Sequence, residues 1–320
     1  MTNREAVAEA TALFEHLQAS GNAEGSSEQL AAIDSLLARA GGELPDLAVV
    51  PLLAARARIL SHQGAERRAQ EEVDLLFDRF KDSTELRVAH MVAYALMVKF
   101  KSLLRIGEIP AAVDAAYELL AAFERAPDDQ NLTGLGLMLL DVSLDLMNFD
   151  QDREVVVIAR ALVDRLAAMN PSRQAVAAAG RFYLGLALGQ TGGSIDEVET
   201  QMTMLTRAGE PGLVALERIV SQLDANHGEP MGYALVALFR MVILMNLDRR
   251  AEAQHFAESL PAELVELFED GSIPRGKEVL TEIRDDAAQR SAYVQCHMSH
   301  VVAPPPSRRR RDADPERSAE

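Results

Sequence analysis

The feature that most constrains this chain is a turn that returns every 43 residues. Gly107 separates the stretch Val92 to Ile106 from the stretch Ile109 to Glu124. Both halves place apolar residues at three- and four-residue steps, the spacing of an amphipathic helix. Gly107 stands where a helix stops and Pro110 stands in the first turn of the next, so the unit is a helical hairpin. The same interval leads backward to Gly64 and Gly21 and forward to Asp150 and Gly193. The flanks keep the register. Leu53, Leu96, Leu139 and Phe182 form one series, and Leu60, Leu103 and Leu146 another. After the turn come Leu76, Leu119, Leu162 and Leu205, and a small or β-branched series of Ala69, Ala112, Val155 and Val198. One supersecondary unit repeated at a fixed period cannot bury its apolar stripe alone and stacks on its neighbours.

Composition agrees with such a fold. Apolar residues make up 48% of the chain, enough for a continuous interior, while aromatics are 5% and Trp is absent. The core is therefore expected to be Leu, Ala, Val and Met. No stretch alternates with period two, so the predicted class is all-α. The charge balance is 32 basic against 49 acidic residues, or −17. An acidic surface repels phosphate backbones and anionic lipid, which makes nucleic acid and membranes poor partners. Cys296 is the single cysteine, so no internal disulfide forms and a reducing compartment is expected. The N-terminus carries acids where a signal peptide needs a basic start and an apolar run, and no run of apolar residues is long enough to span a bilayer. The expected location is the cytoplasm.

Taken in order, hairpins are predicted near 1–40, 46–80, 84–124, 128–169, 172–208 and 211–260, with breaks at Gly21 to Gly25, at Gly41-Gly42 with Pro45, and at Asn170-Pro171-Ser172. After Gly193 the rhythm fails, because Asp248, the next comparable turn, comes 55 residues later. The segment 211–247 reads either as a sixth hairpin or as an inserted helix followed by the front half of one. Two capping helices are predicted within 262–300, at 262–269 and about 275–298. The Pro- and Arg-rich tail 301–320, with its Arg308 to Arg311 run, is predicted to be disordered, leaving 1–300 as one helical-repeat domain.

The fifth hairpin carries a family signal. In Tyr183-Leu-Gly-Leu-Ala-Leu-Gly-Gln-Thr-Gly192, the residues Leu184, Gly185, Ala187, Leu188 and Gly192 match in order the first helix of a tetratricopeptide repeat. That family expects Ala five residues after the turn, as at Ala69, Ala112 and Ala253, and a closing Pro, as at Pro261. Roughly residues 1–260 therefore resemble a tetratricopeptide array. The departures are a period of 43, against about 34 in the family, Asp150 for Gly, Val155 for Ala, and Glu197 where Ala is expected after Gly192. The resemblance implies a right-handed α-α superhelix, a solenoid of about six hairpins, whose first helices line a concave groove that takes a peptide or partner helix.

Candidate chemistry is sparse. Cys296-His-Met-Ser-His300 has metal-ligand residue types one helical turn apart, but no second cluster completes a tetrahedral set. Gly189-Gln-Thr-Gly-Gly-Ser194 lacks the Lys of a phosphate loop and follows a helix, so it reads as a turn. Asp128-Asp129 and Asp150-Gln-Asp152 fall at junctions, where helix N-caps favour Asp. No nucleophile or acid-base constellation is visible. The chain is expected to be no enzyme and to need neither cofactor nor metal.

The resemblance assigns groove positions by register: Ala54, Arg58 and His62; Tyr94, Met97, Lys101 and Arg105; Leu140, Leu144 and Met147; Phe182 and Leu186. The N-terminal part of this face is basic and the remainder apolar. Lys101 and Arg105, four residues apart, can reach one carboxylate. The functional expectation is a non-catalytic scaffold or adaptor that binds a protein segment. The alternative is a ligand- or peptide-sensing regulator, or an accessory subunit of an enzyme encoded elsewhere. A homo-oligomer buried through the apolar patch is a further possibility for the partner.

Overall fold

The computed structural model describes residues 3–19, 27–40, 44–127, 130–225, 230–273 and 275–285. Among these residues there are fifteen α-helices and no strand. The chain divides into two compact units, Met1–Glu154 and Val155–Glu320.

The first unit holds α1 (Asn3–Ala19), α2 (Ser27–Ala40), α3 (Asp46–His62), α4 (Glu66–Phe80), α5 (Leu86–Arg105), α6 (Ile109–Arg125) and α7 (Gln130–Asn148). Helices pack on their neighbours in sequence, and α3, α5 and α7, the first helices of successive hairpins, also pack side by side. The amphipathic pattern explains the layering. Ile33 and Leu36 of α2 meet Ala48, Leu52, Ala55 and Ile59 of α3, together with Ala6, Ala10 and Leu17 of α1. The other side of α3, at Val50, Ala54 and Ala57, packs with Val73, Leu76 and Phe80 of α4 and with Val92, Ala95 and Leu96 of α5. A first helix is thus buried on two sides, and each fully buried Leu or Val in it contributes about 1.5–3 kcal/mol.

The connections are as regular as the register predicts. Gly64, Gly107 and Asp150 take left-handed φ values of 75°, 79° and 57°. In each case the next residue donates its N–H to a carbonyl five residues back: Ala65 to Leu60, Glu108 to Leu103 and Gln151 to Leu146, all at 2.9 Å. The left-handed residue itself bonds three back, to Ser61, Leu104 and Met147 respectively. This is the paired bond of the Schellman helix end, which satisfies carbonyls that the helix leaves open. Five residues beyond each left-handed residue lie Ala69, Ala112 and Val155, all fully buried. Leu60, Leu103 and Leu146 are buried too, whereas Leu53 of the other series is half-buried.

The second unit holds all but the first residues of α8 (Asp152–Leu166), then α9 (Pro171–Thr191), α10 (Ile195–Thr206), α11 (Glu210–Ala225), α12 (Pro230–Asn246), α13 (Arg250–Glu258), α14 (Ala262–Glu269) and α15 (Gly276–Asp285). The Asn170 side chain caps α9 by accepting from the Arg173 N–H at 3.1 Å, with Pro171 behind it. The left-handed residue is Gly192, φ 73°, the turn position of the family pattern and one residue before the Gly193 that the 43-residue interval marks. The connection carries one extra residue, and Ser194 then precedes α10 so that Val198 is buried at 4% exposure. Gly193 is constrained in another way, since a Cβ there would lie 3.1 Å from the Leu188 carbonyl oxygen.

In the segment 211–247, helix α11 packs on α9 as α5 packs on α3, and α12 packs on α11 and α10. Helix α12 then turns at Asp248, φ 58°, where Arg249 donates to Leu244 at 2.9 Å, and packs on α13, α14 and α15 as well. It serves both arrangements because it is apolar on every side, with Val236, Leu238, Phe239, Met241, Ile243 and Leu244 all buried. The predicted breaks at Gly21 to Gly25 and Gly41-Gly42, the stretch 286–298 of the last helix and the tail 301–320 lie outside the described residues.

A Cβ at Gly107 meets nothing within 4 Å, so the cost of adding one is backbone conformation alone. Gly107→Ala is expected to destabilise the protein by about 1–2 kcal/mol, and Asp150→Gly to stabilise it by up to about 1 kcal/mol. The check is the urea unfolding midpoint of each variant; equal midpoints would contradict the left-handed assignment.

Candidate functional site

The densest polar cluster described in the first unit lies where α3 and α5 end against the start of α4. Ser61 and Ser102 are buried at 3% and 0% exposure, and their hydroxyl oxygens are 2.7 Å apart. Ser61 Oγ donates to Glu66 Oε2 at 2.9 Å. With its only proton so used, it accepts from Ser102 and from the Arg105 guanidinium. Arg105 Nε also reaches Glu66 Oε1 at 2.8 Å. The cluster ties the three helices at one end, and a nearly buried carboxylate is matched by a half-exposed Arg. The outer edge of that Arg remains in water.

Beside this cluster stand the remaining cations of the predicted face. His62, exposed at the last turn of α3, has its pKa lowered by burial and then by Arg58 and Arg105, with Glu66 acting in the opposite sense. Arg58, one turn earlier on α3, is half-buried and has no ion-pair partner among the described residues. Lys101 Nζ lies 3.7 Å from Asp145 Oδ2 on α7. Burial raises the Asp145 pKa, Lys101 opposes this, and Asp141 adds to it. The neighbouring Lys99 points the other way, to Asp74 of α4 at 2.7 Å and Glu118 of α6 at 3.8 Å.

The predicted groove residues divide by burial. Arg105 is exposed, and Arg58, Tyr94, Met97, Lys101, Met147 and Leu186 are half-buried. Leu140, Leu144 and Phe182 face the interior at 0%, 7% and 3% exposure, as does Ala54 at 0%. Phe182 packs edge-to-face on Tyr183 and Phe239, at centroid distances of 5.8 and 5.9 Å. These apolar side chains complete the packing between adjacent helices, which is why an apolar first-helix position need not face a groove. Arg58, Tyr94, Met97, Lys101 and Arg105 belong to α3 and α5 of the first unit, which pack together, with Met147 on α7 beyond.

Other sequence candidates resolve simply. Gly189 to Ser194 is a helix end and turn. Asp150 is the left-handed turn residue and Asp152 the first residue of α8, so neither is the N-cap expected from sequence. Burial, then Asp150 and Glu154, raises the Asp152 pKa. Asp128-Asp129 and Cys296 to His300 lie outside the described residues. Among the described residues no group of three or more His, Cys, Asp or Glu is placed to hold a metal, and no helix is long and apolar enough to cross a membrane. An open depression of 370 Å³ over α10, lined by Asp196, Glu199, Thr200, Thr203, Met204 and Arg207, is walled by one helix face and has no converging groups.

Sequence reading missed the Ser61, Ser102 and Glu66 network. Ser61 and Ser102 are 41 residues apart and so fall out of the 43-residue register. Comparisons with protein-family models, with curated proteins and with solved structures gave no match.

Removing the guanidinium while keeping its apolar stem leaves Glu66 and Ser61 short of a buried partner. Arg105→Met is therefore expected to cost about 1–3 kcal/mol, against about 0–1 kcal/mol for Arg39→Met in the exposed pair with Glu9. Paired urea titrations check the contrast; equal losses would contradict it. Because the His62 pKa is lowered in the folded chain, the unfolded chain takes up that proton first as pH falls below 6.5. Stability relative to His62→Gln should then decline from that pH downward, and thermal melts across the range test this; a constant difference would contradict it.

Proposed function

We propose that this chain is a non-catalytic, tetratricopeptide-like scaffold or adaptor whose hairpins stack into a right-handed superhelix. In this reading it binds a segment of another protein across the α3 and α5 face, with Met147 of α7 at the border. The observation that carries the reading is the recurring hairpin together with the mixed lining it presents: Arg58, Lys101 and Arg105 beside half-buried Tyr94 and Met97. A segment that suits this lining is amphipathic, with an apolar side for Tyr94 and Met97 and acidic groups for the cations.

The internal pairing of the cations decides how to test it. Arg105 is committed to Glu66 and Ser61, so reversing its charge would damage the fold along with any binding. Arg58 and Lys101 are the better probes. In the Arg58→Ala, Lys101→Ala double variant, affinity for peptides selected on the full chain from a displayed acidic amphipathic library is expected to fall at least about tenfold. The circular dichroism melt should change little, as for other surface substitutions. Unchanged affinity, or a library that yields no binder, would overturn the proposal.

A further inference from the structure

We propose that Arg58, His62 and Arg105 form an oxyanion subsite, for a carboxylate or phosphate group, that takes up a proton onto His62 when it is filled. This rests on the binding reading given above and names the chemistry that one end of that face would recognise.

The charge distribution is the starting point. The chain carries −17 overall, yet the charged groups that act on His62 are two guanidiniums, Arg58 and Arg105, and a single carboxylate, Glu66. That carboxylate sits at 10% side-chain exposure and is occupied by Ser61 and Arg105. Arg105 keeps an exposed edge, with 49% of its side chain accessible, and Arg58 has no carboxylate of its own among the described residues. Arg58 and His62 are one helical turn apart and so share a face of α3. Lys101, the next cation along α5, is drawn toward Asp145 on α7, which leaves the positive excess at the His62 end.

Helix ends normally oppose anions at a C-terminus. Here the open carbonyls are used. Ile59, Leu60 and Ser61 accept from Gln63, Ala65 and Gly64, and Ser102, Leu103 and Leu104 accept from Ile106, Glu108 and Gly107. The guanidiniums are then the dominant local charges.

His62 supplies the linkage. Around it, α3 contributes Arg58, α5 contributes Arg105 and α4 contributes Glu66; among the described residues these are the charged groups that shift its pKa. With the subsite empty, partial burial and then the two cations lower the imidazole pKa. A bound oxyanion screens both guanidiniums and accepts a hydrogen bond from the imidazolium, so the proton returns as the anion arrives. Anion affinity must then increase as pH falls through the bound-state pKa.

The test uses the full chain and two probes that keep their charge across the range, sulfate and an N-acetylated tri-glutamate peptide. The His62 ring resonance, assigned by its loss in His62→Gln, is followed by NMR. Each probe that binds should raise the His62 titration midpoint, and its affinity should increase about three- to tenfold from about pH 7.5 to about pH 6. In His62→Gln binding should persist without that pH dependence. Arg58→Ala should abolish the midpoint shift and Arg58→Lys should restore much of it. Response to tri-glutamate alone supports a carboxylate as the natural group, and response to sulfate alone supports a phosphate. A midpoint unmoved by both probes at tens of millimolar, or moved equally in Arg58→Ala, would overturn the subsite. If library peptides still bind in a Lys101-dependent manner, the scaffold reading survives that failure.

Discussion

The structure depends on one constraint: the chain must reverse direction without leaving helix-end carbonyls open beside a dry interior. The left-handed turn with its five-residue hydrogen bond meets that requirement. It recurs with the same bond partners at Gly64, Gly107, Asp150 and Asp248. The turn fixes where the second helix starts, and so places Ala69, Ala112 or Ala253 in the helix that packs on the first, each fully buried. Small residues at that point let the two backbones approach closely, and the larger Leu residues around them fill the remaining space. The same closeness explains Gly185, where a Cβ would sit 2.2 Å from the Met202 methyl group on α10.

The polar side chains follow from this arrangement. Where first helices end beside one another, hydroxyls and charges are brought together at the rim, as with Ser61, Ser102, Glu66 and Arg105. Partners inside the cluster satisfy the buried groups, and the outward edges of Arg105, Arg58 and His62 are left to face solvent. The functional proposals concern these outward edges, because the apolar first-helix positions at Leu140, Leu144 and Phe182 are used for packing.

Much of the fold was legible because helical periodicity and turn chemistry are local. The ends of α3, α5, α7 and α12 follow from Gly64, Gly107, Asp150 and Asp248 with few ambiguities. The 43-residue interval marks Gly193 and the family pattern marks Gly192; both glycines tolerate the left-handed conformation, and the structure takes it at Gly192. The double role of α12 depends on which surfaces α11, α13 and α14 bury against it, and no local pattern encodes that. The cations of the candidate face were visible as residue types. Their partners were not, since Lys101 with Asp145 and Arg105 with Glu66 join residues about 40 positions apart whose side-chain directions emerge only after packing.

The most direct measurement is amide hydrogen exchange at Ala65, Glu108, Gln151 and Arg249 in the full chain. These four N–H groups close the five-residue bonds. The account predicts that all four exchange as slowly as amides inside the helices they terminate. Exchange at the rate of an unstructured chain at any of these positions would contradict it.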